Sequence, residues 1–228
     1  MFFEYANKLK YPYYNVPGNH DICVGGYLSK KLYVDYMQKY NKNFKFNKTY
    51  YSFTPKTGYK IIALDSIIDS RITANGELSK EQLEFLDKEL SLAGDNIILI
   101  FMHMPLKQPF SSDNHRLLNS DEMYKVLLKY NNPIALFTGH YHTTRIMQEN
   151  NLIHVSTPAL ISYPNAYRYV KIDDYKDKVV FKIQYAPTRL KDLQKKSKLL
   201  VFHSSIYYGD EKDRTVTITI NKGKKNDK

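Results

Sequence analysis

The sequence predicts an α/β fold built on a layered sheet core. Capped helices alternate with strands through its earlier part, whereas strands dominate its later part. Residues 97–101 and 134–137 are continuous apolar runs, the pattern of strands covered on both faces.

The elements follow in order. Residues 1–10 place Phe2, Phe3, Ala6 and Leu9 at helical spacing. Residues 13–16 form a short apolar run that stops at Pro17-Gly18, reading as a strand entering a tight loop. Residues 28–40 predict a helix with Ser29 as N-cap and an apolar face through Leu32, Tyr36 and Tyr40. Residues 49–53 and 59–64 are β-rich and flank Pro55-Lys56-Thr57-Gly58, so they predict a hairpin. Ser79-Lys80-Glu81-Gln82 is a capping-box pattern, followed by Leu83, Leu86 and Leu90 and closed by Gly94. A second capped amphipathic helix covers residues 120–130 and ends at Asn131-Asn132-Pro133. Two antiparallel pairs come next: residues 145–148 with 152–156, and 167–172 with 179–184. Beyond Leu190 a short helix, a strand at 215–220 and a basic end are expected. The expected organisation is one domain over residues 1–186 and an extension over 187–228, with no internal repeat.

A chain of 228 residues is long enough for one sizeable core. No apolar run approaches the roughly 20 residues that cross a bilayer, and Met1-Phe2-Phe3-Glu4 does not open a signal peptide. The single cysteine, Cys23, excludes an internal disulfide and fits a reducing cytoplasm, the expected location. Its expected role is that of a small packing residue. The net charge of +11 admits two readings. One is a genome biased towards A/T-rich codons, since Lys, Asn and Tyr are all abundant; the other is attraction for phosphate-bearing substrates. The lysines are scattered rather than arranged as a nucleic-acid motif.

The chemistry lies in three loops. The runs at 13–16, 97–101 and 134–137 lead into Gly18-Asn19-His20-Asp21, His103-Met104-Pro105 and Gly139-His140-Tyr141-His142. Ligands of open α/β sheets collect at the carboxyl ends of strands, so three polar loops at such ends can converge. Imidazole suits borderline divalent metals, and an amide or carboxylate oxygen adds a harder donor. In an extended loop, His140 and His142 can address two neighbouring ions. Each piece alone is weak; the shared order and placement carry the argument.

Together these blocks resemble the calcineurin-like metallophosphoesterase superfamily, whose signature runs D-x-H, G-D, G-N-H-D, H, G-H-x-H. The stretches at 76–90 and 97–105, with Asp113, His115, Leu117 and Asn119 and with Thr157-Pro158-Ala159, look like the bacterial branch of class III cyclic-nucleotide phosphodiesterases. The resemblance implies a layered β-sandwich flanked by helices and two divalent ions, Mn, Fe or Zn. It assigns Asn19, His103 and His140 to one ion and His142 to the other. It makes His20, oriented by Asp21, the group that contacts the phosphoryl or protonates the leaving alkoxide, with a metal-bridging hydroxide as nucleophile. The implied activity is hydrolysis of a small cyclic or diester phosphate; no membrane partner and no nucleic acid are expected.

The D-x-H and G-D blocks do not occur before Gly18. The expected fold therefore lacks its first strands, leaving an exposed sheet edge, and the expected explanation is a fragment or a late start codon rather than a decayed enzyme. The alternatives are a non-catalytic binding module and, from the charge alone, a nuclease. Bland roles are expected elsewhere: His154 and His203 structural or solvated, Asp65 a structural hydrogen-bonding group, and Tyr163-Pro164-Asn165 either a turn or a loop near substrate.

Overall fold

Apolar periodicity sets the layers of the computed structural model, which describes residues 2–222. Its helices are α1 (Phe2–Ala6), α2 (Asn19–Ile22), α3 (Lys30–Tyr40), α4 (Lys80–Ser91), α5 (Ser120–Leu127), α6 (Lys191–Leu199), α7 (Ser204–Tyr208) and α8 (Glu211–Arg214). Its strands are β1 (Tyr51–Phe53), β2 (Tyr59–Ala63), β3 (Ile97–Phe101), β4 (Ile134–Thr138), β5 (Arg145–Glu149), β6 (Leu152–Ser156), β7 (Ala166–Asp174), β8 (Lys178–Pro187) and β9 (Thr215–Asn221). One sheet has six strands in the order β1-β2-β3-β4-β6-β5, and the other has three, β7-β8-β9.

In the larger sheet β2, β3, β4 and β6 run parallel, in register Tyr59 with Ile97, Ile98 with Ile134 and Ile134 with Leu152. Both faces of these strands are covered, which explains their unbroken apolar sequences. Alternate residues point opposite ways. Ile98, Ile100, Ile134 and Leu136 meet Leu86 and Leu90 of α4 and Met123 and Leu127 of α5. Ile97, Ala135, Phe137 and Ile153 meet Val179, Phe181 and Ile183 of β8 and Ile218 and Ile220 of β9. The result is the expected sandwich with flanking helices, and β9 is one of the strands of its second sheet.

Two expectations about the early chain are corrected. Residues 13–16 are extended but form no strand. A strand needs a ladder partner, and here Tyr13 and Asn15 offer their carbonyls to the Asn41 amide (2.9 Å) and the Tyr51 hydroxyl (2.9 Å) instead. Helix α3 starts at Ser29 as expected, with the serine hydroxyl accepting Leu32 N–H at 3.1 Å. Its buried face, however, is Tyr33, Val34 and Met37, and Tyr36 and Tyr40 are exposed. Val34 and Met37 have no polar tip to keep in water, whereas Tyr36 and Tyr40 are exposed; Tyr33 is buried with the aliphatic pair. The basic end, residues 223–228, lies outside the described residues. Among those residues no helix is long and apolar enough to cross a membrane.

Candidate metal centre

Parallel strands bring their carboxyl ends to one side. His103 follows β3 by two residues and Gly139 follows β4 directly, and Gly139 N–H donates to His103 O at 3.0 Å. The third loop arrives from the side: Asn19 opens the short helix α2 and is buried. Gly18, just before it, lets the backbone lie against the His103 ring, because an added Cβ would sit 3.1 Å from His103 Cε1.

Three donor atoms converge. His103 Nε2 lies 2.7 Å from Asn19 Oδ1 and 3.1 Å from His140 Nδ1. A ring nitrogen carries one proton or one lone pair, so His103 Nε2 cannot satisfy both neighbours at full strength. Separations of roughly 3 Å are those of adjacent donors around an ion with ligand distances of about 2.1 Å. The donor set, one amide oxygen and two imidazoles, therefore fits a borderline divalent cation. Among the described residues no group of three His, Cys, Asp or Glu side chains could hold an ion.

Electrostatics favour the neutral form of these histidines. Burial first, then the nearby His140, His142 and His20, push His103 down to about 3. Burial and then His115, His142 and His20 push His140 down to about 4. His142 is lowered by burial and by His20. The neutral ring is the form that ligates a metal. His142 lines the same cavity as His103 and His140.

The loop Gly139–His142 differs from expectation. It is not extended, because His140 (φ 64°) and His142 (φ 55°) both have left-handed backbones. Such backbone in non-glycine residues costs on the order of 1–3 kcal/mol and clusters at functional sites. Tyr141 between them is buried, edge-on to Phe110 at 4.8 Å. Its hydroxyl accepts from the Gln108 amide at 2.5 Å.

His20 is exposed at the edge of the site. Asp21 accepts Gly18 N–H at 2.8 Å, and among the described residues no hydrogen bond joins it to His20. In this geometry it orders the loop backbone rather than the imidazole.

The sequence reading gave no role at the site to three neighbours, of which only His115 was named there, for its loop. Ser162 Oγ lies 3.0 Å from His142 Nδ1, a contact that leaves Nε2 as the other ring nitrogen. The His115 ring lies 5.4 Å from His140. Arg168 bonds Arg214 O (3.0 Å) and Ser156 O (3.2 Å), and burial pushes it down to about 10. No spacing rule points to Ser162 or Arg168; only the pairing of strands far apart in sequence brings them here. Arg168, His103, His140 and His142 share a cavity of about 630 Å³, whose wall also includes Leu99, Phe101 and Phe137. The outer edge of β7 is unpaired among the described residues.

Asp65, Cys23 and His154 have other surroundings. Asp65 accepts from Thr49 Oγ1 (2.6 Å) and Ile67 N–H (2.9 Å). Cys23 is half-buried and directs its thiol at Arg71 O. His154 is buried in β6.

Comparison with known proteins agrees with this arrangement. Residues 1–144 match the calcineurin-like phosphoesterase family. A 3',5'-cyclic-nucleotide phosphodiesterase of Nostoc sp. is 27% identical over 158 residues, covering 68% of this chain and 54% of that protein. A protein of Arcobacter nitrofigilis named "Probable glycerophosphodiester phosphodiesterase" is 28% identical over 156 residues, covering 67% and 54%. The 3',5'-cyclic adenosine monophosphate phosphodiesterase of Escherichia coli K12 is 33% identical over 103 residues, covering 44% and 37%. The chain spans about half the length of the first two relatives. With more than half of its length matched, and with the family's last three sequence blocks brought together, two of them at the ends of β3 and β4, the chain belongs to the calcineurin-like phosphoesterase family.

Proposed function

We propose that this chain carries the site of a metal-dependent phosphodiesterase acting on a small cyclic or diester phosphate. The convergence of Asn19 Oδ1, His103 Nε2 and His140 Nδ1 carries the reading. These three would hold one divalent ion, and His142 would serve a second. A divalent ion supplies Lewis-acid stabilisation of phosphoryl charge and a means of activating water.

The chain's own groups have separable tasks. Burial keeps His103 and His140 unprotonated, so their lone pairs remain available. Ser162 fixes the orientation of His142. His20, exposed beside the cluster, is placed to give a proton to a departing alkoxide. Arg168 contributes a fixed positive charge to the cavity wall, which favours an anionic substrate. The names of the relatives support a phosphodiester over a monoester.

The test is Mn²⁺-dependent hydrolysis of bis-p-nitrophenyl phosphate and of a 3',5'-cyclic nucleotide. His103→Ala is expected to abolish metal binding and turnover together. His20→Ala is expected to keep the metal and lose roughly 100-fold or more in kcat. Metal retention without hydrolysis of any phosphoester would sink the reading in favour of a non-catalytic module. The absence of a D-x-H and a G-D block ahead of Gly18 in this sequence is the observation behind that competitor.

A further inference from the structure

Helix α6 packs inside out. Its half-buried residues are Gln194 and Ser197, one turn apart, and none of its residues is buried. Gln194 bonds Thr188 O at 2.8 Å, and Ser197 bonds the buried Asn165 side chain. The apolar residues point away from the body. At the end of α6 and the turn that follows, Leu199 is 87% exposed, Leu200 83% and Phe202 90%. Asn165 also donates to Leu160 O at 3.0 Å, tying α6 to a loop whose Ile161 is 90% exposed. Water-soluble proteins rarely present contiguous apolar groups of this size without a partner.

The surrounding charge selects the partner. Between residues 189 and 202 stand Arg189, Lys191, Lys195, Lys196 and Lys198 against the single acid Asp192. Protein interfaces are depleted in lysine, and a two-fold dimer would bring this basic patch against its own copy. A nucleic acid would engage the lysines and leave the leucines in water. Leucine and phenylalanine projecting among lysines suit a surface that is anionic above and apolar beneath. We propose that the end of α6 and the turn after it dock on an anionic lipid surface. The lack of a spanning helix does not bear on a peripheral contact of this kind. The inference stands independently of the metal centre.

The test is co-sedimentation of the full chain with vesicles of phosphatidylcholine alone or mixed with phosphatidylglycerol, at low and high salt. Binding is expected to the mixed vesicles only and to weaken in high salt. L199S/L200S/F202S and K195E/K196E/K198E are each expected to lose about tenfold or more. Both triplets are exposed, so circular dichroism should show the fold retained. Three results would overturn the proposal: no binding to mixed vesicles at low salt, equal binding by wild type and the L199S/L200S/F202S variant, or a dimer in light scattering that this variant dissolves. Unlabelled duplex DNA that binds through the lysines, with no vesicle binding, would assign the patch to nucleic acid instead.

Discussion

A single methyl group tests how closely His103 is fitted, because a Cβ on Gly18 would lie 3.1 Å from His103 Cε1 and 3.2 Å from Nδ1. Gly18→Ala should therefore push the ring off its position and weaken Mn²⁺ binding about tenfold, as other disturbances of ligand orientation do. Gly139 is a built-in control. Its Cβ would come no nearer than 3.6 Å to the same ring, an ordinary contact. Titration calorimetry on both variants separates them, and equal losses would contradict the fit described here. At this scale the sequence is legible where a residue type has one use. A glycine, an asparagine and two histidines in fixed order point to the site, but the serine that orients His142 comes from a loop twenty residues away, with nothing local to mark it.

Among the elements, α4 joins the sequence signal to the tertiary fold most directly. The Ser79 hydroxyl accepts Gln82 N–H at 3.3 Å, so the expected cap is present. The expected return bond from Gln82 is spent differently. Its buried side chain accepts Asp65 N–H at 2.8 Å and donates to Asp65 O at 2.7 Å, clamping the segment after β2. Gln82→Ala leaves a buried donor and a buried acceptor unpaired and should cost about 2 kcal/mol. A urea melt should show this as a lower midpoint with an unchanged slope. Element existence was legible for α4, α5, β3 and β4 from their apolar patterns, although Asn119 at the start of α5 does not cap it and accepts Leu78 N–H instead. The segment at 13–16 was not, because strand formation depends on a neighbour that its own residues cannot reveal. The inward face of α3 was missed by one position, since tyrosine satisfies both an inward and an outward reading.

For the molecule as a whole, buried histidines set the acid limit of stability. His154 is lowered from 6.5 to about 4, with burial outweighing the opposing effect of Glu149 3.9 Å away. His103 and His140 are lowered in the same direction. Above pH 6.5 these rings are neutral in both the folded and the unfolded chain and contribute no pH dependence. Below it the unfolded chain takes up protons that the folded one refuses, so stability falls as the pH drops towards about 4. For His154 the loss is on the order of 2 kcal/mol. Among the described residues neither ring nitrogen has a hydrogen-bond partner, so His154→Leu should remove that share of the acid loss without weakening the fold at neutral pH. Denaturant midpoints compared at neutral pH and near pH 4 check this.

The uneven burial along the chain also divides the molecule in time. Every residue of β4 is buried, and the strand is paired on both sides, whereas α6 and α7 contain no buried residue. Backbone amides of β4 open only when the whole domain opens, and those of α6 and α7 open on their own. The loop bearing His140 and His142 hangs from the slowest cooperative unit, and the Leu199–Phe202 turn belongs to the fastest. Refolding or gentle heating can thus strip one surface from the protein while the other keeps its geometry.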